Sequence, residues 1–520
     1  MTFAGFPARQ LHPNCVAGNN SSAFMSLLKK LAGETVIYGL SSIIGRVLGY
    51  LLVPLYTSIF LKGEYGIVTQ LYASVAFLMV IFIYRMDTSF FRFGSEKEGR
   101  EEVYSTTFWS VAISALFFSV LIFVFAEPIA TWYALPEEGP DYVRIFGLVL
   151  AYDTLSEIPL ARLRLESRPI RFATIRLTGI GINMGLNLFF LLGCPWLLEH
   201  NYSNDLIRAV YNPFWGIKYI FISNLIASAA VLLLLSPEIR KVKWHFNTSQ
   251  WKTMAVYAAP LVLASLAGIV NEMIDREMLV RFLPYDIATN RGEQGVYSAC
   301  YKLAMLMSLF TQAFRYAAEP FFFANAKNKD AKQLYADVTK YFTIAGALAF
   351  LTINFYLDII KELFLLNKDY WAGLAVVPIL LMANLFLGLY YNVSIWYKLT
   401  DQTNKGGIIA LGGAAITVGL NYWWIPTIGY IGSAWATLIC YFTMTLACWL
   451  WGRKYYPINY NLQRIIFYIL FPVALFFISQ YAKDVLFFKK QMLYIFNTLL
   501  LLIFIFVTLR LEKRHLLNTL

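Results

Sequence analysis

Apolar residues run along almost the whole chain in stretches of membrane length, parted by short polar breaks. A hydrocarbon core of about 30 Å needs roughly 20 helical residues to cross it. Fourteen stretches meet that length, near residues 34–60, 64–91, 104–126, 142–161, 170–194, 215–235, 251–283, 293–319, 338–365, 370–398, 404–425, 428–451, 462–481 and 490–510. Arg46 and Asp153 lower the hydropathy of their segments, but the flanks still read as spanning. The longest outer loop, about residues 195–214, leaves no room for a domain outside the membrane. Residues 1–24 are polar, with Pro7, Pro13 and Gly18, and lack the apolar core of a signal peptide. Met25 is the more natural start, so this stretch reads as an over-extended gene start or a disordered leader.

The pattern repeats once, at a spacing of about 230 residues. Arg46 corresponds to Arg276, Pro54 to Pro284, Arg85 to Arg315, and Phe91 and Phe93 to Phe321 and Phe323. The turn before the second segment also recurs with a one-residue slip, as Glu64-Tyr-Gly66 and Glu293-Gln-Gly295. Six helices separate a residue from its copy. An even number makes the two halves enter the membrane in the same direction, as parallel repeats do, with substrate held between them near the midplane. The expected fold is therefore an all-α polytopic membrane protein. Its N-lobe is residues 25–240 (helices 1–6), its C-lobe residues 241–455 (helices 7–12), and residues 456–520 add helices 13 and 14 with a tail.

Charge orients this layout. Only 14% of residues are charged against 59% hydrophobic, whereas a soluble domain carries about a quarter charged. The net charge of +12 comes mostly from Lys and Arg in loops on one side, among them Arg92, Arg100, Arg162, Arg164, Arg168, Arg240, Lys332, Lys405 and Arg453. The 127–141 loop has four acids and no Lys or Arg. The positive-inside rule places both termini in the cytoplasm. The loop with Lys483, Lys489 and Lys490 departs from that pattern. Five cysteines show no metal-site or disulfide spacing. All four histidines, His12, His200, His245 and His515, lie in loops or tails. An acyltransferase built on an intramembrane histidine is thereby excluded, and no cofactor or metal is expected.

Charges inside spanning segments are costly and face a cavity, a partner or a substrate. Arg46 lies roughly 18 Å into its helix at 1.5 Å per residue, too deep to snorkel. Its planar fork of donors suits a diphosphate; an ion pair locking the halves is the other reading. Glu272 and Arg276 are four apart and can pair on one face. Asn271 and Asp275 share the neighbouring face. Glu272 and Asp275 beside an arginine suit Na⁺ or proton coupling, or a structural salt bridge. Lys302 is either a substrate contact or a partner of Asp275 or Glu272. Arg85 and Asp87, with Arg315 and Glu319, lie near the cytoplasmic ends of helices 2 and 8 and read as snorkelling charges or an inner gate. Asp153 and Glu157 share a face of helix 4, and Arg162, Arg164 and Arg168 at its end read as orientation signals.

Gly295-Val-Tyr-Ser-Ala-Cys-Tyr-Lys302 and Phe314-Arg-Tyr-Ala-Ala-Glu-Pro-Phe-Phe-Phe323 resemble helix 8 of bacterial polysaccharide-biosynthesis transporters. Ile44-Gly-Arg46 through Pro54 and Glu64-Tyr-Gly66 resemble their opening. These are the O-antigen (Wzx-type) flippases of the multidrug/oligosaccharidyl-lipid/polysaccharide exporter (MOP) superfamily. The resemblance covers residues 26 to about 510. It implies fourteen helices in two V-shaped lobes around a cationic cavity. It further implies alternating access and flipping of an undecaprenyl-diphosphate-linked oligosaccharide from the cytoplasmic to the periplasmic leaflet, driven by an ion gradient. Arg46, Arg276 and Lys302 match such a cavity; Glu272 and Asp275 follow no strict motif of the family.

The resulting expectation is a non-enzymatic transporter of the bacterial inner membrane, serving surface polysaccharide or lipopolysaccharide synthesis. Its partners are a lipid-linked oligosaccharide and membrane lipids, with a polysaccharide polymerase and glycosyltransferases in its pathway. It is expected to be a monomer with no nucleic-acid partner. Within the superfamily the alternatives are a lipid II flippase or a drug/cation exporter, although an exporter of cations favours acids over arginines. A twelve-helix facilitator disagrees with the helix count. From another class, a membrane glycosyltransferase or polymerase would need a larger outer domain or a cluster of acids in a long loop.

Overall fold

A computed structural model describes residues 43–95, 99–200, 205–326, 328, 330–485 and 489–519. The 1–24 leader and the start of the first expected helix lie outside the described residues. The regular structure of the described residues is all helical, with no strand among them. The long segments are α1 (Ile43–Ile59), α2 (Lys62–Ile83), α3 (Arg100–Val124), α4 (Gly139–Leu165), α5 (Pro169–Leu188), α6 (Lys218–Leu234) and α7 (Thr248–Phe282). They continue as α8 (Ile287–Asn325), α9 (Ala331–Phe355) and α10 (Val376–Val393). The helix Thr403–Tyr455 breaks at Gly429, whose φ of 63° and ψ of −148° suit glycine alone; its arms, 403–428 and 430–455, are α11 and α12. Last come α13 (Leu462–Asp484) and α14 (Lys490–Thr519).

Nine helices among the described residues are long and apolar enough to cross a membrane, counting α11 and α12 as one, and α1 and α6 are shorter apolar helices. The remaining two, α4 and α8, hold Asp153, Glu157 and Arg162, and Glu293, Lys302, Arg315 and Glu319. The pattern is consistent with the fourteen expected segments, and the polar pair carries part of the candidate chemistry.

Two expected helices are interrupted. The expected 64–91 helix divides at Tyr84 and Arg85, which take left-handed φ values of 36° and 61°, before the short helix Met86–Phe93. The expected 170–194 helix passes through a π-turn at Phe189–Gly193 and continues to Glu199. Glu64, in the recurring turn motif, caps α2: its carboxylate accepts the Leu61 N–H at 2.9 Å.

Close packing divides the chain into two units. The first runs to Arg281 and takes in Tyr285–Gly292; the second holds Phe282–Pro284 and everything from Glu293 on. The packing boundary thus lies beyond α7 and not at 240, where the repeat divides. The reason is that α7 and the linker before it are bound to the first unit. Trp109 donates to the Lys243 carbonyl (3.0 Å), Asn247 to Glu102 (2.8 Å) and Ser89 to the Met254 carbonyl (3.1 Å). Trp244 stacks on Trp109 at 4.4 Å. Met254 and Ala258 are buried in a core with Phe90, Tyr104 and Ile158. At the far end of α7, Gln70 donates to Glu277 (2.9 Å), and the Arg281 guanidinium lies 3.5 Å from the centre of the Trp132 ring.

In the second unit α10 and the short helix Ile395–Leu399 pack on α11 and α12 through Tyr390, Trp396, Ile409, Tyr441 and Cys448. The final pair is clamped to α9. Glu512 on α14 is ion-paired with Lys340 (2.8 Å) and accepts hydrogen bonds from Arg464 (2.6 Å) and Tyr468 (2.8 Å).

Candidate functional site

In the first unit, Arg46 is half-buried on α1 and makes no ion pair among the described residues. On α7, Asp275 and Arg276 are buried, at 3% and 7% exposure. Arg276 Nη1 donates to Asp275 Oδ1 at 2.8 Å and also to the Glu272 backbone carbonyl. The i,i+4 expectation is corrected here: the Glu272 carboxylate is exposed and unpaired among the described residues, and the guanidinium folds back on its neighbour and the helix backbone instead. Asp275 is thereby the counter-ion of Arg276.

Asp87 holds one carboxylate oxygen buried without a hydrogen-bond partner among the described residues, at the break where Arg85 is left-handed. Strained backbone of this kind persists only where the surrounding structure enforces it.

A second charged cluster was only half visible in the sequence. Glu157 on α4 pairs with Arg176 on α5 at 2.7 Å, and Arg176 and Ser228 also neighbour Asp153. Arg176 was missed because it reads as one more basic residue near a helix end. A signal was present: α4 and α5 are antiparallel across a turn at 166–168, so residues at equal distances from the turn meet. The same end holds Arg162 at 4% exposure, paired with Glu101 (2.5 Å) and Glu166 (2.6 Å) above the Tyr104 ring. Arg162 is therefore a buried structural charge, not simply an orientation signal. Burial pushes the Glu166 carboxyl up, but the hydrogen bond and charge of Arg162, with Lys241 and Arg168, hold it below its ordinary value.

In the second unit, Lys302 is half-buried on α8. Further along the helix, Arg315 lies 4.8 Å above the Tyr391 ring, and Glu319 is ion-paired with Lys398. Lys398 lies on the short helix Ile395–Leu399. Among the described residues no group of His, Cys, Asp and Glu forms a metal site.

Residues 31–159 match the model of the polysaccharide biosynthesis protein family. Comparison with curated proteins finds no match. Among solved structures, the lipid II flippase MurJ in an inward closed conformation is similar over 93% of this chain and 100% of its own, at 16% identity and a TM-score of 0.71. An inward-facing multidrug resistance MATE family transporter of the MOP superfamily is similar over 81% and 94%, at 13% identity and a TM-score of 0.61. A MATE transporter in the bent conformation covers 85% and 96%, at 13% identity and a TM-score of 0.56. The chain therefore shares the fold of these multi-pass membrane proteins.

Proposed function

We propose that this chain flips an undecaprenyl-diphosphate-linked oligosaccharide from the cytoplasmic to the periplasmic leaflet of the bacterial inner membrane, for O-antigen or other surface polysaccharide synthesis. The observation that carries this reading is the duplicated cationic segment, Arg46 and Arg276, in a chain with a flippase fold and a polysaccharide-biosynthesis match. A diphosphate cannot cross hydrocarbon bare. Arginine forks compensate it with paired hydrogen bonds, and Lys302 adds a third cation. Substrate moves by alternating access. Arg85, Asp87, Arg315 and Glu319 form the inner gate.

Coupling to H⁺ or Na⁺ rests on Glu272 and Asp275. Glu272, which lacks an ion pair among the described residues, receives the ion. Asp275 holds Arg276 in place until the headgroup competes for it. Both termini are cytoplasmic, and the protein works as a monomer alongside a polymerase and glycosyltransferases. The likeness to a lipid II flippase favours lipid II as the second reading.

Purified protein in liposomes, offered a lipid-linked oligosaccharide, lipid II or a fluorescent organic cation under a proton or a sodium gradient, separates these readings. Movement of the oligosaccharide lipid under one of the gradients is expected. Movement of lipid II alone selects the second reading, and movement of the cation alone selects an exporter.

A further inference from the structure

Glu102, Ser105, Thr106 and Trp109 recur at i, i+3, i+4 and i+7 of α3 and so share one face. That face is polar in a helix whose later residues, 111–124, are largely apolar, and it holds the linker that precedes α7. The Lys243 backbone is fixed on both sides: its N–H donates to Ser105 Oγ at 3.0 Å, and its carbonyl accepts from the Trp109 indole at 3.0 Å. The Asn247 N–H donates to Thr106 Oγ1 at 3.2 Å, and its side-chain amide to Glu102 at 2.8 Å. Upstream, Tyr104 donates to the Glu238 carbonyl at 3.0 Å. Residues 238–247 are therefore laid along α3 rather than left as a solvated loop.

This fixing turns one set of side chains outward. Arg240, Lys241, Lys243, Trp244 and Phe246 are exposed, as is Lys252 in the first turns of α7. Trp244 is 90% exposed although it stacks on Trp109 at 4.4 Å. Trp109 lies about 14 Å along α3 from Arg100, at 1.5 Å per residue, where the apolar run begins. An open indole among basic residues at that level has the character of a membrane-interface group, its ring fit for the headgroup region. The acids nearby are already engaged. Glu101 and Glu166 pair with Arg162, Glu238 pairs with Arg171, and Glu102 is bonded by Asn247 and His245. Lys241 lies near Glu166, whereas Arg240, Lys243 and Lys252 make no ion pair among the described residues.

We propose that this linker is a contact surface for anionic phospholipid of the cytoplasmic leaflet, with Trp244 seated among the headgroups and Arg240, Lys243 and Lys252 binding lipid phosphates. The inference rests on the orientation proposed above and not on the substrate. Each basic group held at the membrane surface favours anionic lipid about fivefold, and the attraction fades within a Debye length. A segment already fixed along α3 gives up little freedom when lipid binds, so less of that attraction is lost to ordering. The linker leads directly into α7, so lipid bound here also steadies the helix that carries Asp275 and Arg276.

Trp244 itself reports on the surface. The full chain is reconstituted in liposomes of mixed phosphatidylglycerol and phosphatidylcholine, one or the other brominated in both leaflets. The Trp244 share of the emission is the difference between wild type and Trp244→Phe. Bromine is expected to quench that share, with phosphatidylglycerol preferred by about fivefold or more at about 0.1 M salt and by less at about 1 M. Arg240→Gln/Lys243→Gln/Lys252→Gln abolishes the preference. Lys332→Gln/Arg453→Gln/Lys454→Gln, which removes three exposed cations of the second unit, keeps it. Trp244 emission untouched by either lipid overturns the proposal and leaves the surface to water or an acidic protein. Equal quenching by the two lipids, or equal loss of preference in both triple variants, also overturns it and reduces the charges to orientation signals. Leaflet exchange of a lipid-linked glycan is read separately. Lipid preference without glycan movement keeps the surface and rejects the transport reading, and glycan movement without lipid preference does the reverse.

Discussion

The Arg276 guanidinium donates to the carboxylate of its own neighbour, Asp275, at 2.8 Å, with both side chains buried in the first unit. A cation held this way is oriented before any substrate arrives. It also has a counter-ion that an incoming diphosphate can replace. Breaking a buried pair by removing one partner costs about 3–5 kcal/mol, because the other charge stays behind. Asp275→Asn and Arg276→Gln are each expected to lower the melting temperature clearly, and the double variant to recover most of that loss. Transport does not recover with it: losing one charge-assisted hydrogen bond, worth about 1.5–3 kcal/mol, costs about tenfold or more in rate. Recovery of transport in the double variant makes the pair purely structural.

The cytoplasmic end of α4 carries a pH signature. The Glu166 carboxyl is held below its ordinary value by Arg162, so its folded pKa lies below its unfolded one of about 4.3. Its contribution is therefore complete above that unfolded value and disappears as pH falls through the lower folded value. Melting curves of wild type and Glu166→Gln between pH 7 and pH 3 test this. The wild type is more stable at neutral pH, and the gap closes on the acid side of about pH 4.3. A gap that is constant with pH removes the ion pair as its cause.

Glu512 is the single acid that ties Lys340, Arg464 and Tyr468 together across α9, α13 and α14. Glu512→Ala leaves Lys340, 3% exposed, without its closest counter-ion. The expected loss is about 3 kcal/mol, the low end of the range for buried pairs, because Arg464 retains solvent contact. Limited proteolysis then cuts first in the linkers on either side of α13. Unchanged stability and digestion would mean that the apolar contacts of the last two helices hold them unaided.

Helix α7 is tied to the first unit at both ends, by Ser89 and the Met254 carbonyl at one and by Gln70 and Glu277 at the other. Cysteines at 89 and 254, joined by an oxidant, are expected to leave transport within about twofold of the uncrosslinked variant. That expectation treats α7 as moving with the first unit. Arrest on cross-linking, reversed by reductant, would show that this end of α7 shifts during the cycle.

Hydropathy is a local property, so the helical segments, and the break between α11 and α12 at Pro426 and Gly429, were legible residue by residue. The break at Tyr84–Arg85 was not, because neither residue is Gly or Pro. There the Ser114 hydroxyl takes the Phe82 carbonyl and Tyr84 bonds Ser110, contacts made by α3 and invisible in the α2 sequence. Candidate charges were found because they stand out in apolar runs. Their partners were not, since Arg162–Glu101 and Glu319–Lys398 join helices far apart in sequence. Asp275 won Arg276 from Glu272 through side-chain geometry that i,i+4 spacing alone does not determine. The repeat located the sequence boundary at 240. Packing placed α7 with the first unit, because the linker's hydrogen bonds and the Trp109–Trp244 stack bind it to α3.

The most direct test of the cationic flippase reading is movement of a fluorescent undecaprenyl-diphosphate oligosaccharide between the leaflets of liposomes holding wild type, Arg46→Ala or Arg276→Ala, each checked by melting curve. Transport by wild type that both substitutions abolish, in folded protein, is the expected result. Wild type that moves no lipid-linked glycan under either a proton or a sodium gradient contradicts it.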